Sequence, residues 1–132
     1  MPTIHVDLKQ TSPTASEGHI RSHRVAVDRP EAKGGTDAGA MGGELLLASL
    51  GGCFMSNLLE AIRTREADIK DVSVAVDGDL DGKPASFKAI HLSVSAQYND
   101  RAQLEKLVTI SERSCIVANT LKGSVKVTVA VA

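Results

Sequence analysis

Two cysteines, Cys53 and Cys115, are the residues of this chain best suited to covalent chemistry. A thiolate is a strong nucleophile, and two thiols that meet can pass electrons through a disulfide. Cys53 directly follows Gly51 and Gly52 inside an apolar block. Glycines within a helix cost about 1 kcal/mol each relative to alanine, so a helix that tolerates two of them lets another backbone or a ligand come close. Cys115 stands at the start of a short helical segment, where unpaired N–H groups and the helix dipole favour a thiolate. A free cysteine can equally be a small buried hydrophobe, and the residues alone leave both roles open.

Other chemistry is poorly supported. The segment GGTDAGAMGG, from Gly34 to Gly43, lacks the GxxxxGK[ST] and GxGxxG spacings of phosphate loops, and it reads as a flexible crossover into the apolar block. His19 and His23 are four apart in a strand-like stretch, which merely puts them on one face. With His5 and His91 they read as solvated or hydrogen-bonding residues, and without HExxH or CxxC no metal site is expected.

The elements that must position the cysteines can be read from periodicity. Thr3 to Leu8 alternates and reads as a strand, Gln10 to Gly18 as a turn, and His19 to Asp28 as a second strand with Val25 and Val27 on one face. Glu31 to Gly43 is a loop. Glu44 to about Glu66 is the longest helix, apolar around most of its axis and hence buried. Val72, Val74 and Val76 mark a strand, Asp81-Gly82 a hairpin turn, and Phe87 to Tyr98 its return. Asn99 or Asp100 can cap a helix whose apolar set is Leu104, Leu107, Val108 and Ser111. Ser114 to Leu121 is a short helix stopped by Gly123, and Val125, Val127, Val129 and Val131 make a last strand. The order β-β-α-β-β-α-α-β, with hairpins and one apolar helix, gives an α+β class. Each strand shows one apolar face, so a single chain cannot enclose the long helix on every side, and a homodimer is expected.

Composition narrows the function. The chain has 132 residues, of which 42% are hydrophobic and 23% charged, which suits a single domain over 1–132 and excludes a disordered tail or a disulfide-dense miniprotein. Fifteen Lys and Arg against sixteen Asp and Glu leave a net charge of −1, and Phe54, Phe87 and Tyr98 are the sole aromatics. Nucleic acid is therefore not an expected partner. The uncharged run Leu45–Leu59 falls short of the about twenty apolar residues of a membrane span, and no signal-peptide core precedes it. A cytoplasmic location with reduced thiols is expected.

The stretch GGTDAGAMGGELLLASLGGC, followed further on by SCIVANTL, resembles the OsmC/Ohr family of osmotically inducible and organic-hydroperoxide-resistance proteins. GHIRSHRVAVDRP is similar to that family's second strand leading into its loop. The resemblance implies an OsmC-like fold, an intertwined α+β homodimer, and two active sites at the subunit interface. It implies reduction of organic hydroperoxides by thiol or dithiol reductants, without metal, haem or flavin. By that resemblance Cys53 is the peroxidatic cysteine and Cys115 the resolving one. Two positions depart from the pattern. Gly42 and Gly43 stand where well-characterised relatives carry Pro-Glu, with Glu44 one place later. The stretch Thr11–Ser16 holds no arginine where the catalytic one is usual. Arg21, sharing strand parity with Val25 and Val27, is the substitute candidate, oriented by Glu44.

Ionisation alone cannot make such a site fast. A thiol whose pKa falls from about 8.5 to about 6 gains about thirtyfold in thiolate at pH 7. A Brønsted slope of about 0.4–0.5 then takes back about ten- to twentyfold in nucleophilicity. Positioning the peroxide and stabilising the departing alkoxide must supply the rest. Leu50, Phe54 and Met55, as neighbours of Cys53, suit an alkyl hydroperoxide. The alternative is a dimer of the same fold that binds a small apolar ligand in its interface cleft without peroxidase activity.

Overall fold

A computed structural model describes all 132 residues, Met1–Ala132. Contacts group them into two compact units, Met1–Leu46 and Leu47–Ala132.

The first unit is a three-stranded antiparallel sheet in the order β1-β2-β3, with β1 Asp7–Gln10, β2 Ser16–Ile20 and β3 His23–Val27. The sequence pattern suggests two strands here, and the structure has three. The Ser12 hydroxyl accepts hydrogen bonds from the N–H groups of Thr14 and Ala15 at 3.3 and 2.9 Å, which confines the first turn to a few residues and frees Ser16–Ile20 to pair. The predicted His19–Asp28 strand is folded back on itself. Ile20 pairs with His23, and Arg21 takes a left-handed φ of 57° in the tight turn between them. Arg21 is thus a turn residue, and its expected strand parity with Val25 and Val27 does not hold.

After β3 the chain makes one turn of 3-10 helix at Glu31–Lys33 and returns beside β3, where Ala40 bridges Val27. Gly39 makes that return possible, because a Cβ there would stand 2.4 Å from the Ala26 carbonyl. Asp28 locks the loop. Its buried carboxylate accepts from the N–H groups of Arg29, Thr36 and Ala38 at 2.7, 3.1 and 3.1 Å, and from the Thr36 hydroxyl at 2.7 Å.

Helix α1, Gly42–Thr64, begins in this unit. Glu44 Oε1 accepts from the N–H of Met41 at 2.9 Å, half of a capping box, and its charge suits the helix N-terminus.

The second unit holds most of α1 and a sheet in the order β4-β5-β6, with β4 Ile69–Asp81, β5 Ser86–Tyr98 and β6 Lys126–Val131. β4 and β5 form the hairpin expected at Asp81-Gly82, and Gly82 takes a φ of 93°. β6 runs parallel to β5, so the chain must cross over between them, and it does so through α2 Arg101–Arg113 and α3 Ile116–Leu121. Asp100 caps α2, accepting from the Gln103 N–H at 3.1 Å. Leu104, Leu107, Val108 and Ser111 are all buried, as their spacing predicts.

The core gathers Leu50, Phe54, Leu58 and Ala61 of α1 with Ile90, Leu92 and Val94 of β5 and the apolar face of α2. α1 is 23 residues long and apolar enough to cross a bilayer, but this face packs as a core helix. It is not covered all round within one chain, since Ala48, Ser49, Gly52, Ser56 and Leu59 are exposed.

The hydrogen bonds to Asp28 hold its carboxyl far below the usual carboxylate range, the Thr36 hydroxyl contributing most. Because the folded pKa is depressed, this carboxylate stabilises the fold above an unfolded pKa of about 3.9, and the contribution is lost as pH falls below it. Asp28→Asn should lower the melting temperature at pH 7 by several degrees and flatten its fall between pH 5 and pH 3. A melting series of both proteins across that range checks this.

Candidate functional site

Cys53 lies midway along α1, half-buried, and Cys115 is fully buried at the corner between α2 and α3. Both are free thiols. The chain brings them together through two local features.

The first is the glycine pair before Cys53. A Cβ on Gly51 would come within 2.8 Å of Val76 Cγ2, so glycine there lets α1 lie close on β4. Gly52 has open space around it and leaves the helix surface beside Cys53 bare. The close approach foreseen from sequence is real for Gly51, and what approaches is the protein's own sheet.

The second feature is the break after α2. The Ser114 N–H donates to Ile110 and the Cys115 N–H to Glu112, at 3.2 and 3.1 Å, and the chain then turns into α3. Cys115 is the N-cap of α3, its sulfur accepting from the Ala118 N–H at 3.4 Å. The N–H groups of Ile116 and Val117 at this helix start, together with the Cys115 side chain, are the polar neighbours that lower the Cys53 pKa.

The two thiols are thereby made unlike. Burial pushes Cys53 up, but the Val117 N–H, the Cys115 side chain and the Ile116 N–H together outweigh it. The net pKa lies below that of an ordinary cysteine. Burial also dominates at Cys115. The Ala118 and Val117 N–H groups oppose it, while the hydrogen bond and charge of Cys53 push further up, so its pKa lies above the ordinary value. Of the two, Cys53 is therefore the thiol that ionises more readily. The sequence placed the helix-terminus effect on Cys115. In the structure N–H groups of the helix start lower both thiols, but at Cys115 burial and Cys53 outweigh them, whereas at Cys53 they prevail over burial.

Other expected site residues lie elsewhere. Leu50 and Phe54 are fully buried in the core and cannot line a substrate path, whereas Met55 is half-buried. Glu44 engages the Met41 N–H at the start of α1. Arg21 sits on the β2–β3 turn. Arg24, on the strand face opposite Val25, meets His19 and Glu17, with Arg24 to Glu17 at 3.5 Å and His19 to Glu17 at 2.9 Å. One polar residue went unremarked in the sequence. Asn57 donates from Nδ2 to the Ser111 carbonyl at 3.3 Å, beside the thiols. Its signal was available, since it stands one turn after Cys53 on the same helix face within an apolar block.

A family model described as OsmC-like protein matches residues 35–130, and the chain belongs to that family. No curated protein sequence matches it. Among solved structures, a putative osmotic stress induced and detoxification response protein from Psychrobacter arcticus 273-4 superposes with a TM-score of 0.86 at 15% identity, over 100% of this chain and 98% of that one. An OsmC-like protein from Mycoplasma pneumoniae gives 0.86 at 17%, over 99% and 96%. The organic hydroperoxide resistance protein OhrB of Bacillus subtilis gives 0.72 at 20%, over 98% of each chain. At these identities the likeness is one of fold.

At pH 7 iodoacetamide should modify Cys53 well ahead of Cys115, with a pH midpoint below that of an ordinary thiol. Peptide mass mapping over a pH series measures both, and equal labelling of the two cysteines would contradict the assignment.

Proposed function

We propose that this protein is a thiol peroxidase that reduces organic hydroperoxides to alcohols. The observation that carries the reading is the asymmetric pair: a half-buried thiol whose pKa is lowered beside a fully buried one whose pKa is raised. Membership of the OsmC-like family, and likeness in fold to an organic hydroperoxide resistance protein, support that substrate class.

In the first step the Cys53 thiolate attacks the distal peroxide oxygen. An S–O bond forms, the O–O bond breaks, and the alkoxide leaves and takes up a proton as the alcohol. Cys53 is then a sulfenic acid. Cys115 attacks that sulfur, an S–S bond forms and water departs. A dithiol reductant returns two electrons and two protons and restores both thiols. Once Cys53 is oxidised, its contribution to the raised pKa of Cys115 disappears and Cys115 ionises more readily, burial still opposing it. Glu44 fixes the start of the Cys53 helix.

The same reading makes the protein a homodimer. Ile4, Leu8 and Leu59 are 85%, 61% and 49% exposed in the single chain, and the open face of α1 carries small residues suited to close packing. A second copy supplies the missing cover.

Cys53→Ser should abolish turnover of cumene hydroperoxide. Cys115→Ser should react once and then accumulate sulfinic and sulfonic acid at Cys53. Full activity of Cys53→Ser in a coupled peroxidase assay would overturn the reading. Sedimentation equilibrium should give about twice the 13.9 kDa chain mass, and Leu59→Glu should shift the protein toward monomer.

A further inference from the structure

The corner that carries Cys115 is tied down by two asparagines that peroxide chemistry does not require. In the last turn of α2 the carbonyls lose their helical donors. Ser114 and Cys115 give their N–H groups to Ile110 and Glu112, which leaves the Ser111 carbonyl to a side chain. Asn57 of α1 supplies it, donating from Nδ2 at 3.3 Å. The amide orientation follows from chemistry, since its oxygen in that place would oppose a second acceptor. Asn119 of α3 closes the other side, donating from Nδ2 to the Arg113 carbonyl at 3.0 Å.

The spacing gives the Asn57 bond its meaning. Asn57 lies one turn after Cys53 on α1, and Ser111, in the last turn of α2, precedes the corner at which Cys115 caps α3. The amide–carbonyl contact and the thiol pair are therefore neighbouring rungs across one helix contact. A small rotation of the α2–α3 corner about α1 would move Cys115, and with it the first N–H groups of α3, away from Cys53. Apolar packing by Leu104, Leu107 and Val108 holds α2 in the core but does not fix such a rotation, because it is not directional. A hydrogen bond from one helix to the end of the other is directional and does.

We propose that Asn57 is a positioning residue for the thiol pair: its amide sets the α2–α3 corner against α1 so that Cys115 and the N–H groups of Ile116 and Val117 meet Cys53. The consequence for turnover rests on the peroxidase reading above, whereas the consequence for the Cys53 thiol does not.

Asn57→Leu keeps the bulk and helix-forming tendency of the position and removes the donor. Asn57→Ser keeps a polar side chain that is too short to span the gap. In either variant the pH midpoint of Cys53 alkylation should rise by about half a pH unit or more. Disulfide closure after one equivalent of tert-butyl hydroperoxide should slow about tenfold. A role confined to stability would lower the melting temperature and leave both readouts at their native values, and that result overturns the proposal. If Asn57→Leu does not fold, Asn57→Ser is judged on the same two readouts. If the native protein does not react with the hydroperoxide, the peroxidase reading falls, and the alkylation midpoint still decides the role of Asn57.

Discussion

Two free thiols in unlike surroundings lie in the second unit: Cys53, whose pKa is lowered, and the fully buried Cys115, whose pKa is raised. Two unlike influences meet there. The N–H groups at the start of α3 lower the Cys53 pKa, and burial among core side chains raises that of Cys115. Were the two thiols in equivalent surroundings, neither would be the preferred nucleophile. The difference between them would give the proposed chemistry a direction, with Cys53 meeting the oxidant and Cys115 resolving it.

The architecture supplies this difference cheaply. A parallel strand pair needs a long crossover, and the one from β5 to β6 is broken into two helices by a corner at Ser114–Cys115. The break creates fresh N–H groups in the interior, beside the long apolar helix. Gly51 lets that helix settle close on Val76, and Leu50, Phe54 and Leu58 fix its rotation, which presents Cys53 toward the corner. Asn57 then ties helix to corner one turn away. Sheet, helix and crossover thus each fix one coordinate of the pair.

Much of this was legible in the residues, and the rest fails for identifiable reasons. The α2 helix was readable to its N-cap, because Asp100 and the Leu104, Leu107, Val108, Ser111 spacing agree on one answer. The β4–β5 hairpin announced itself through Asp81-Gly82 and alternating valines. The β2–β3 turn did not. Ile20-Arg21-Ser22-His23 carries no glycine or asparagine, and Arg21 adopts its left-handed backbone without the usual composition signal. That hidden turn is why a three-stranded sheet read as two strands. The cysteines could be picked out by type, and their pairing came from likeness to the OsmC/Ohr pattern. What no local rule could supply was that the start of α3 would also lower the Cys53 pKa, because that depends on a contact between segments far apart in the chain. The same holds for Leu50 and Phe54, which look like pocket residues beside Cys53 in sequence and prove to be core.

The most direct test of the account is a count of thiols. The reduced protein is denatured and titrated before and after exposure to one equivalent of tert-butyl hydroperoxide per chain. Rapid loss of two thiols per chain, with a mass decrease of two hydrogens and recovery by a dithiol, is the result the paired-sulfur account requires. Retention of both thiols with the hydroperoxide unconsumed would contradict it.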